Sequence, residues 1–177
     1  MATGAAELRT GLLGRGSACT GPVALLLATI VACMSDGSQL TPMKPRHLNK
    51  FAADYTSAWC SQQAAGVASF FSEMGSLQIN DGSPAVGRNE IAAAAQGFMV
   101  AFPDLVVTMD KVAADDGRVT YHWTLTGTNA GPGGTGKHVR VSGFEEWRFG
   151  SDGLIAESKG HFDKAEYDRQ LATGVAK

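Results

Sequence analysis

The sequence contains little charge and few cysteines. Its 177 residues include 15 basic and 17 acidic ones, 18% of the chain, with a net charge of −2. Lys and Arg are scattered singly, which excludes the basic surface typical of nucleic-acid binding and gives no direct attraction to anionic membranes. None of Cys19, Cys33 and Cys60 forms a CxxC pair, and the four histidines lack metal-ligand spacing. We therefore expect no nucleic-acid partner, no structural metal and no disulfide framework.

Residues 1–43 differ in composition from the rest of the chain. Residues 23–32 form an apolar run that contains a single polar residue, Thr29. The run is too short to span a bilayer but matches the hydrophobic region of a secretory signal. The run ends in an IVAC sequence at Cys33, which resembles the lipobox of bacterial lipoproteins. The alternative is a mis-called start, because Met43 opens a natural beginning for the domain. In both cases the folded domain is predicted over 44–173.

These two alternatives predict different native N-termini. A genuine leader places a lipid on Cys33 and makes the protein an exported lipoprotein, held at a membrane by acyl chains and not by a spanning helix. Translation from Met43 leaves the protein cytoplasmic. Mass spectrometry of the native N-terminus checks this, and an unmodified Met43 would contradict the lipid anchor.

The first half of the domain shows helical periodicity. Phe51, Tyr55, Ala58 and Trp59 recur at i, i+4, i+7 and i+8, the stripe of an amphipathic helix. A second helix with inward Val67, Phe70 and Phe71, stopped by Gly75, precedes a short strand and a third helix that ends before Pro103. The predicted segments are helix 47–61, helix 64–73, strand 76–80, a turn at 80–82 and helix 89–101.

The second half shows the period of two that is typical of strands. Val119, Tyr121, Trp123 and Leu125 alternate with polar residues, and a DDG sequence at 115–117 indicates a hairpin. Further strands are predicted over 139–149 and 154–162, followed by a helix over 163–172. Helices segregated from a run of antiparallel strands indicate the α+β class, with the helices on one face of a bent sheet.

Several segments carry a family resemblance in their order and spacing, namely FAADYTSAW, ASFFSEMGSLQIN, AFPDL, HWTLTGTNAGP, GKHVRVSGFEEWRF, DGLIAES and FDKAEYDRQL. From about Leu48 to Leu171 the chain resembles the SnoaL-like polyketide cyclase family, within the nuclear transport factor 2-like and ketosteroid isomerase-like superfamily. The resemblance implies a cone-shaped α+β barrel, in which a strongly bent antiparallel sheet and N-terminal helices enclose an apolar pocket. It also implies dimers or larger assemblies, and acid–base chemistry on hydrophobic molecules without a cofactor.

In the cyclases of this family an aspartate on the last strand transfers a proton, so the end of that strand is the first place to seek a site. Asp163 matches the family's final acidic position, whereas the inner Asp would fall near Gly160 and the usual Trp near Lys159. We expect Asp163 and His161 to be the catalytic pair, with burial raising the pKa of the aspartate. The alternatives are an N-cap, with Glu166 completing a capping box, and a structural histidine.

The remaining candidates are expected to line the pocket or to form its core. They are Tyr55, Trp59, Met99, His122, Phe144 and Glu146. Tyr55 can donate a hydrogen bond to a developing oxyanion. One carboxylate of the adjacent Glu145 and Glu146 is expected to point inward, with His122 or Arg148 as its partner, because an unpaired buried charge is costly. Cys60 is expected to be a buried, inert thiol.

The combined expectation is a protein with an apolar pocket for a small hydrophobic molecule and acid–base catalysis of the cyclase or isomerase type, without a cofactor. The alternative is a non-catalytic ligand-binding or dimerisation module, favoured by the absence of the family's inner Asp and Trp. A homodimer built on sheet faces is also expected, because the outward face around 121–125 and 139–147 is predicted to be rich in apolar residues.

Overall fold

The computed structural model describes residues 45–175, and its fold is α+β, as the sequence predicted. No helix within this range is long and apolar enough to cross a membrane. The elements in chain order are α1 (Pro45–Cys60), α2 (Ala64–Ala68), β1 (Phe71–Ile79), β2 (Ala85–Val86), α3 (Arg88–Ala101), β3 (Val106–Asp115), β4 (Arg118–Thr128), β5 (His138–Phe149), β6 (Ile155–Phe162) and α4 (Lys164–Thr173).

The strands form one open, six-stranded sheet in the order β2-β1-β6-β5-β4-β3. From β3 to β6 each strand pairs antiparallel with the next, which is the predicted run of long strands. The first strand, β1, lies parallel to the last one, β6. On its other side β1 pairs antiparallel with β2, a two-residue strand that the sequence analysis did not predict. The parallel pairing brings the beginning and the end of the domain together beside the centre of the sheet.

The prediction of a second helix as far as residue 73 was wrong. Helix α2 ends at Ala68 and the chain is already extended at Phe71, whose fully buried side chain starts β1. Gly75 lies inside this strand, at a register shift against β6. A Cβ at Gly75 would lie 2.7 Å from the Ile155 carbonyl oxygen, so the glycine permits close approach of two strands at a bulge and does not stop a helix.

Aromatic side chains form the centre of the core, between α1 and the sheet. The Tyr55 ring makes edge contacts with Tyr121 and Trp147, at centroid distances of 5.7 and 5.2 Å. Tyr121 and Trp147 are themselves stacked at 4.7 Å. All three side chains are almost completely buried. The side chains that the period of two marks as buried in β4, and those that the 3.6-residue period marks as buried in α1, therefore pack together in one layer.

Helix α4 covers the part of β5 that extends beyond the end of β6. The last paired residues of these strands are Gly143 and Phe162. Past that point the buried Gln170 amide accepts a hydrogen bond from the Arg140 backbone N–H at 2.6 Å and donates one to the Arg140 carbonyl at 2.9 Å. One side chain thus satisfies a strand edge that would otherwise lack partners. The same helix packs Tyr167 against Phe162, with ring centroids 5.5 Å apart.

The outward face of the central strands is mainly polar. On β4 it presents Thr120, His122 and Thr124, and on β5 Ser142 and Glu146 flank a single half-buried aromatic residue, Phe144. The sequence-based premise of an apolar outward face was therefore wrong, because the apolar members of both strands alternate toward the helices. The homodimer stays a prediction, but an apolar outward face no longer supports it.

Candidate functional site

A cavity of about 60 Å³ lies on the concave side of the sheet. Trp59 and Phe98 contribute one wall and contact each other edge to face at 6.2 Å. Trp123 and Phe162 contribute another, with the same centroid distance. The complete lining comprises Trp59, Leu77, Ile79, Phe98, Val107, Tyr121, Trp123, Leu125, Glu145, Gly160 and Phe162. Apart from Glu145 and the Tyr121 hydroxyl, these side chains are apolar or end in an aromatic ring.

Glu145 is the charged group of this lining, and its carboxylate is held by three donors. Its Oε2 accepts hydrogen bonds from Trp147 Nε1 at 2.8 Å, Ser158 Oγ at 2.7 Å and Tyr55 OH at 3.2 Å. Among the described residues, only the same Tyr55 hydroxyl reaches Oε1, at 3.4 Å. The two oxygens are therefore unequal: Oε2 is saturated, whereas Oε1 retains the capacity to hold a proton or to contact a bound molecule.

The environment of Glu145 changes its acidity. Burial raises the pKa of Glu145 because a charged carboxylate is poorly solvated there, and the donors from Trp147, Ser158 and Tyr55 partly oppose this rise. The pKa of Tyr55 is raised well above its ordinary value by burial and by the nearby Glu145. Tyr55 therefore remains a donor at all moderate pH values. Glu145 is therefore the acidic group of this cluster, and burial shifts its pKa upward.

Tyr121 shares the cavity wall, but its hydroxyl is occupied by helix α1. It forms a hydrogen bond of 2.7 Å with Thr56 Oγ1, which also donates to the Ala52 carbonyl oxygen at 2.7 Å. The Thr56 proton is thus used within the helix, and Tyr121 acts as the donor in the pair. Burial raises the pKa of Tyr121. Its ring walls the cavity while its hydroxyl fixes the helix to the sheet.

Gly160 lies directly beside Glu145 on the neighbouring strand. A Cβ at this position would lie 3.7 Å from Glu145 Cγ and 3.6 Å from the Gln78 carbonyl oxygen, which are ordinary contact distances. Position 160 therefore faces the cavity and has room for a small side chain. It is the position near which the resemblance would put a catalytic aspartate. In this chain the buried carboxylate comes from the adjacent strand instead.

Comparison with known proteins identifies the family. The model of the SnoaL-like polyketide cyclase family matches residues 50–171. The chain belongs to this family. No curated protein gives a significant match.

Solved structures similar to this SnoaL-like chain share its fold. AclR from Streptomyces galilaeus is 23% identical, with a TM-score of 0.62 over 73% of this chain and 98% of AclR. A protein with a ketosteroid isomerase-like fold from Catenulispora acidiphila, in complex with trimethylamine, is 15% identical (TM-score 0.62; 70% and 92% coverage). SalBIII, an epoxide hydrolase/cyclase-like enzyme with a role in pyran ring formation in salinomycin, is 12% identical (TM-score 0.59; 68% and 94% coverage). At these identities the likeness concerns the fold alone.

Within this SnoaL-like fold, two of the sequence candidates lie at or directly behind the cavity, and a third lies in the core. Trp59 lines it, and Tyr55 lies behind the lining and donates to Glu145. Met99, expected in the lining, is buried in the core at 2% exposure and is not among the lining residues, whereas its neighbour Phe98 is. Because Phe98 and Met99 are adjacent on α3, they project about 100° apart around the helix axis. Only one of them can face the cavity.

Four other candidates lie together on the opposite face of the sheet, contrary to the expectation that they line the pocket. The His161 ring stacks on Phe144 at 4.9 Å, and the His122 ring lies 5.8 Å from Phe144 on the other side. His161 Nε2 is 3.5 Å from Glu146 Oε2. Strand alternation explains the correction, since each of these residues immediately adjoins a cavity residue in its strand and so points the other way.

Asp163 lies just after β6, where it caps α4. Its Oδ1 accepts a hydrogen bond from the Glu166 backbone N–H at 2.9 Å, and the residue is exposed. The Glu166 carboxylate does not return the bond to Asp163 but binds Arg169 and Gln170. Only half of a capping box is therefore formed. Asp163 is not among the lining residues of the apolar cavity but borders an open groove that includes His161 and shares Ile79 and Phe162 with the cavity.

We predict that Asp163 acts through this cap. Asp163→Ala should lower the free energy of unfolding by about 0.5–2 kcal/mol, because the Glu166 N–H loses its acceptor, and Asp163→Asn should lower it much less. Ligand binding in the cavity should survive in both variants. Chemical denaturation together with binding measurements checks this, and loss of activity in a stable Asp163→Asn variant would identify a proton carrier instead.

Sequence reasoning missed Glu145 as the inward carboxylate, although a signal for it was present. Val139, Val141 and Trp147 share its odd-numbered side of β5, and all are buried. The same parity sends Phe144 and Glu146 outward. On β6 no such signal existed, because a register shift near Ile155 leaves both Ile155 and Ser158 buried, three residues apart. A simple period of two therefore fails on that strand.

The described part of the chain contains no group of three or more His, Cys, Asp or Glu side chains that could hold a metal ion. Cys60, expected to be buried, is exposed at the end of α1. Its Sγ accepts a hydrogen bond from the Val107 backbone N–H at 3.2 Å. The thiol thus joins α1 to β3 and lies outside the lining of the cavity.

Proposed function

We propose that this protein binds a small, largely apolar molecule in the concave cavity and that Glu145 transfers a proton to or from it. One observation carries the proposal: a buried carboxylate with a raised pKa lines a cavity that is otherwise apolar. A general acid–base group is most effective when its pKa lies near the working pH, and burial is a common way to raise a glutamate into that range. Membership of a cyclase family agrees with this chemistry.

The two carboxylate oxygens of Glu145 have different roles in this proposal. Hydrogen bonds from Trp147 and Ser158 fix Oε2 and hold the side chain in one orientation, so no reorganisation is needed when a molecule binds. Oε1, without a donor of its own, is the atom that accepts a proton from carbon or delivers one. The Tyr55 hydroxyl lies 3.4 Å from Oε1 and 3.2 Å from Oε2, so it can donate to whichever oxygen carries more negative charge.

Glu145 replaces the family's inner aspartate in this proposal. Glu145 and Gly160 are paired neighbours on β5 and β6, so a carboxylate from either strand reaches the same part of the cavity. Two ionised carboxylates side by side would repel each other and raise the pKa of one of them further. Glycine at 160 therefore suits a site in which Glu145 is the single proton carrier.

The size of the cavity limits the bound molecule. A volume of about 60 Å³ is below the roughly 150 Å³ of an engineered apolar cavity that binds benzene. A ring compound can enter only if it extends toward the opening or displaces side chains at the rim. Trp59, Phe98 and Phe162 are among the half-buried lining residues, so we expect their displacement to cost less than that of the fully buried ones.

The test uses 2-indanone, a ketone with acidic C–H groups next to the carbonyl, in deuterated buffer. We expect the protein to accelerate the exchange of those hydrogens, measured by ¹H NMR, and Glu145→Gln to abolish the acceleration while the ketone still binds. Glu146→Gln is the matched control, since it makes the same change on the outward face, and it should retain full activity. Equal exchange in both variants would reject Glu145 as the proton carrier. Binding without exchange in the parent protein would leave a non-catalytic ligand-binding protein.

A further inference from the structure

Phe162, the last residue of β6, lies between the cavity and the open groove beside it. Phe162 and Ile79 line both spaces. On the cavity side the Phe162 ring contacts Trp123 edge to face at 6.2 Å. The groove on its other side has a volume of about 770 Å³, against about 60 Å³ in the cavity. The cavity can therefore gain space at this wall if the Phe162 ring moves toward the groove.

The backbone of Phe162 is held in the sheet, so the side chain is the part that can move. The Phe162 N–H donates a hydrogen bond to Asn80 Oδ1 at 3.0 Å, and the residue pairs with Gly143 across β5 and β6. Phe162 is nevertheless only half-buried. Rotation about its side-chain bonds would change the cavity wall without disturbing the strand pairing.

Tyr167, on α4, opposes that movement. Its ring contacts Phe162 at a centroid distance of 5.5 Å and the fully buried Phe102 at 6.4 Å. Tyr167 borders the groove but is not among the residues that line the cavity. A continuous row of aromatic contacts therefore runs from the core, through Tyr167 and Phe162, to the cavity wall.

Both ends of α4 are anchored, which keeps Tyr167 in its position. Asp163 caps the first turn, and near the other end the Gln170 amide bonds both backbone groups of Arg140 on β5. Tyr167 and Leu171, one turn apart on the helix, pack against the same apolar cluster. The helix and the core thus hold the Tyr167 ring independently of the cavity.

We propose that Tyr167 is a positioning residue that sets the size of the ligand by holding the Phe162 ring against the cavity. This inference rests on the proposed function, because it concerns the size of the same cavity. A compact molecule needs little additional space, whereas a larger one has to push Phe162 toward the groove and break its contact with Tyr167. The contribution of such an aromatic pair corresponds to about two- to tenfold in a dissociation constant.

The test uses the full chain and two ketones of one chemical type, cyclopentanone and 2-indanone, which differ by a fused benzene ring. Dissociation constants are measured for the parent protein and for Tyr167→Ala. The variant should bind 2-indanone about two- to tenfold more tightly than the parent does, with its affinity for cyclopentanone unchanged. If both dissociation constants changed by the same factor, Tyr167 would act on the fold alone and the inference would be wrong.

Two further variants of α4 separate the Tyr167 ring from general loosening of the helix. Tyr167→Phe keeps the ring and removes only the hydroxyl, so it should retain the parent's ratio of the two dissociation constants. Leu171→Ala removes a neighbouring apolar contact of the same helix and should also leave this ratio unchanged. A change of the ratio in Leu171→Ala as large as that in Tyr167→Ala would contradict a specific role of the Tyr167 ring.

A second measurement needs no variant. In the parent protein, saturating 2-indanone should shift the NMR signals of the Tyr167 ring and of the Leu125 methyl groups, which line the cavity, whereas cyclopentanone should shift only Leu125. If 2-indanone shifts Leu125 but not Tyr167, the inference is wrong while the cavity proposal stands. If 2-indanone shifts Tyr167 alone, it binds in the groove, which also rejects the inference. If neither ketone shifts Leu125, the proposed function fails, and the inference with it.

Discussion

Replacing Glu145 with alanine is expected to lower the free energy of unfolding by about 3–5 kcal/mol. The substitution leaves three buried donors, on Tyr55, Trp147 and Ser158, without their acceptor. Each unsatisfied buried donor costs about 1–3 kcal/mol, and relief from burying the carboxylate returns part of the sum. Glu145→Gln should cost less, about 1–2 kcal/mol, because the amide oxygen can still accept. Equilibrium unfolding in urea measures both variants.

The neighbouring glutamate supplies the control for this stability prediction. Glu146→Ala makes the same truncation one residue away, on the outward face, where the side chain is 41% exposed and lies 3.5 Å from His161. Its effect should stay within about 0.5 kcal/mol. If the two alanine variants were equally stable, the three hydrogen bonds to Glu145 would not contribute to folding. A large loss at Glu146 would instead indicate that the outward face is buried in an assembly.

The fold was largely predictable because its longest elements carry strong periodic signals. Tyr55 and Trp59 mark the buried stripe of α1, and Tyr121 and Leu125 mark the inward side of β4. The prediction failed between α2 and β1, where a short apolar stretch fits a helix or a strand equally well. This stretch is a strand because it pairs with β6, more than 80 residues away in sequence. Local pattern cannot reveal such a pairing.

The site was less predictable because its geometry depends on parity and on long-range contacts. The choice between Glu145 and Glu146 required the register of β5, which its buried valines indicate. Which side of β6 faces the cavity could not be read, because the register shift near Ile155 interrupts the alternation. The bond between Tyr55 and Glu145 joins residues 90 positions apart. Family resemblance directed attention to Asp163, whereas packing put the buried carboxylate on the adjacent strand.

Stability should also depend on pH through Glu145. Its pKa is raised by burial in the folded protein, whereas in the unfolded chain it takes its ordinary value of about 4.5. The folded state therefore binds this proton more tightly than the unfolded state does. The contribution of Glu145 to the free energy of unfolding is complete below the ordinary pKa and is lost as the pH rises through the raised one. Above the raised pKa, the folded protein contains a buried, ionised carboxylate, which lowers its stability.

The measurement compares the parent protein with Glu145→Gln, whose amide does not titrate, by urea unfolding at several pH values from about 4 to 8. We expect the difference in unfolding free energy, parent minus variant, to fall as the pH rises across this range. Carboxylates with lowered pKa values, such as Glu157 and Glu166, make the folded protein less stable as the pH falls. The parent and the variant both contain these carboxylates, so their effect cancels in the difference. Glu146→Gln should follow the parent curve, because Glu145 is intact in it. Parallel curves for the parent and Glu145→Gln would mean that burial does not perturb Glu145, and the proton-transfer proposal would lose its physical basis.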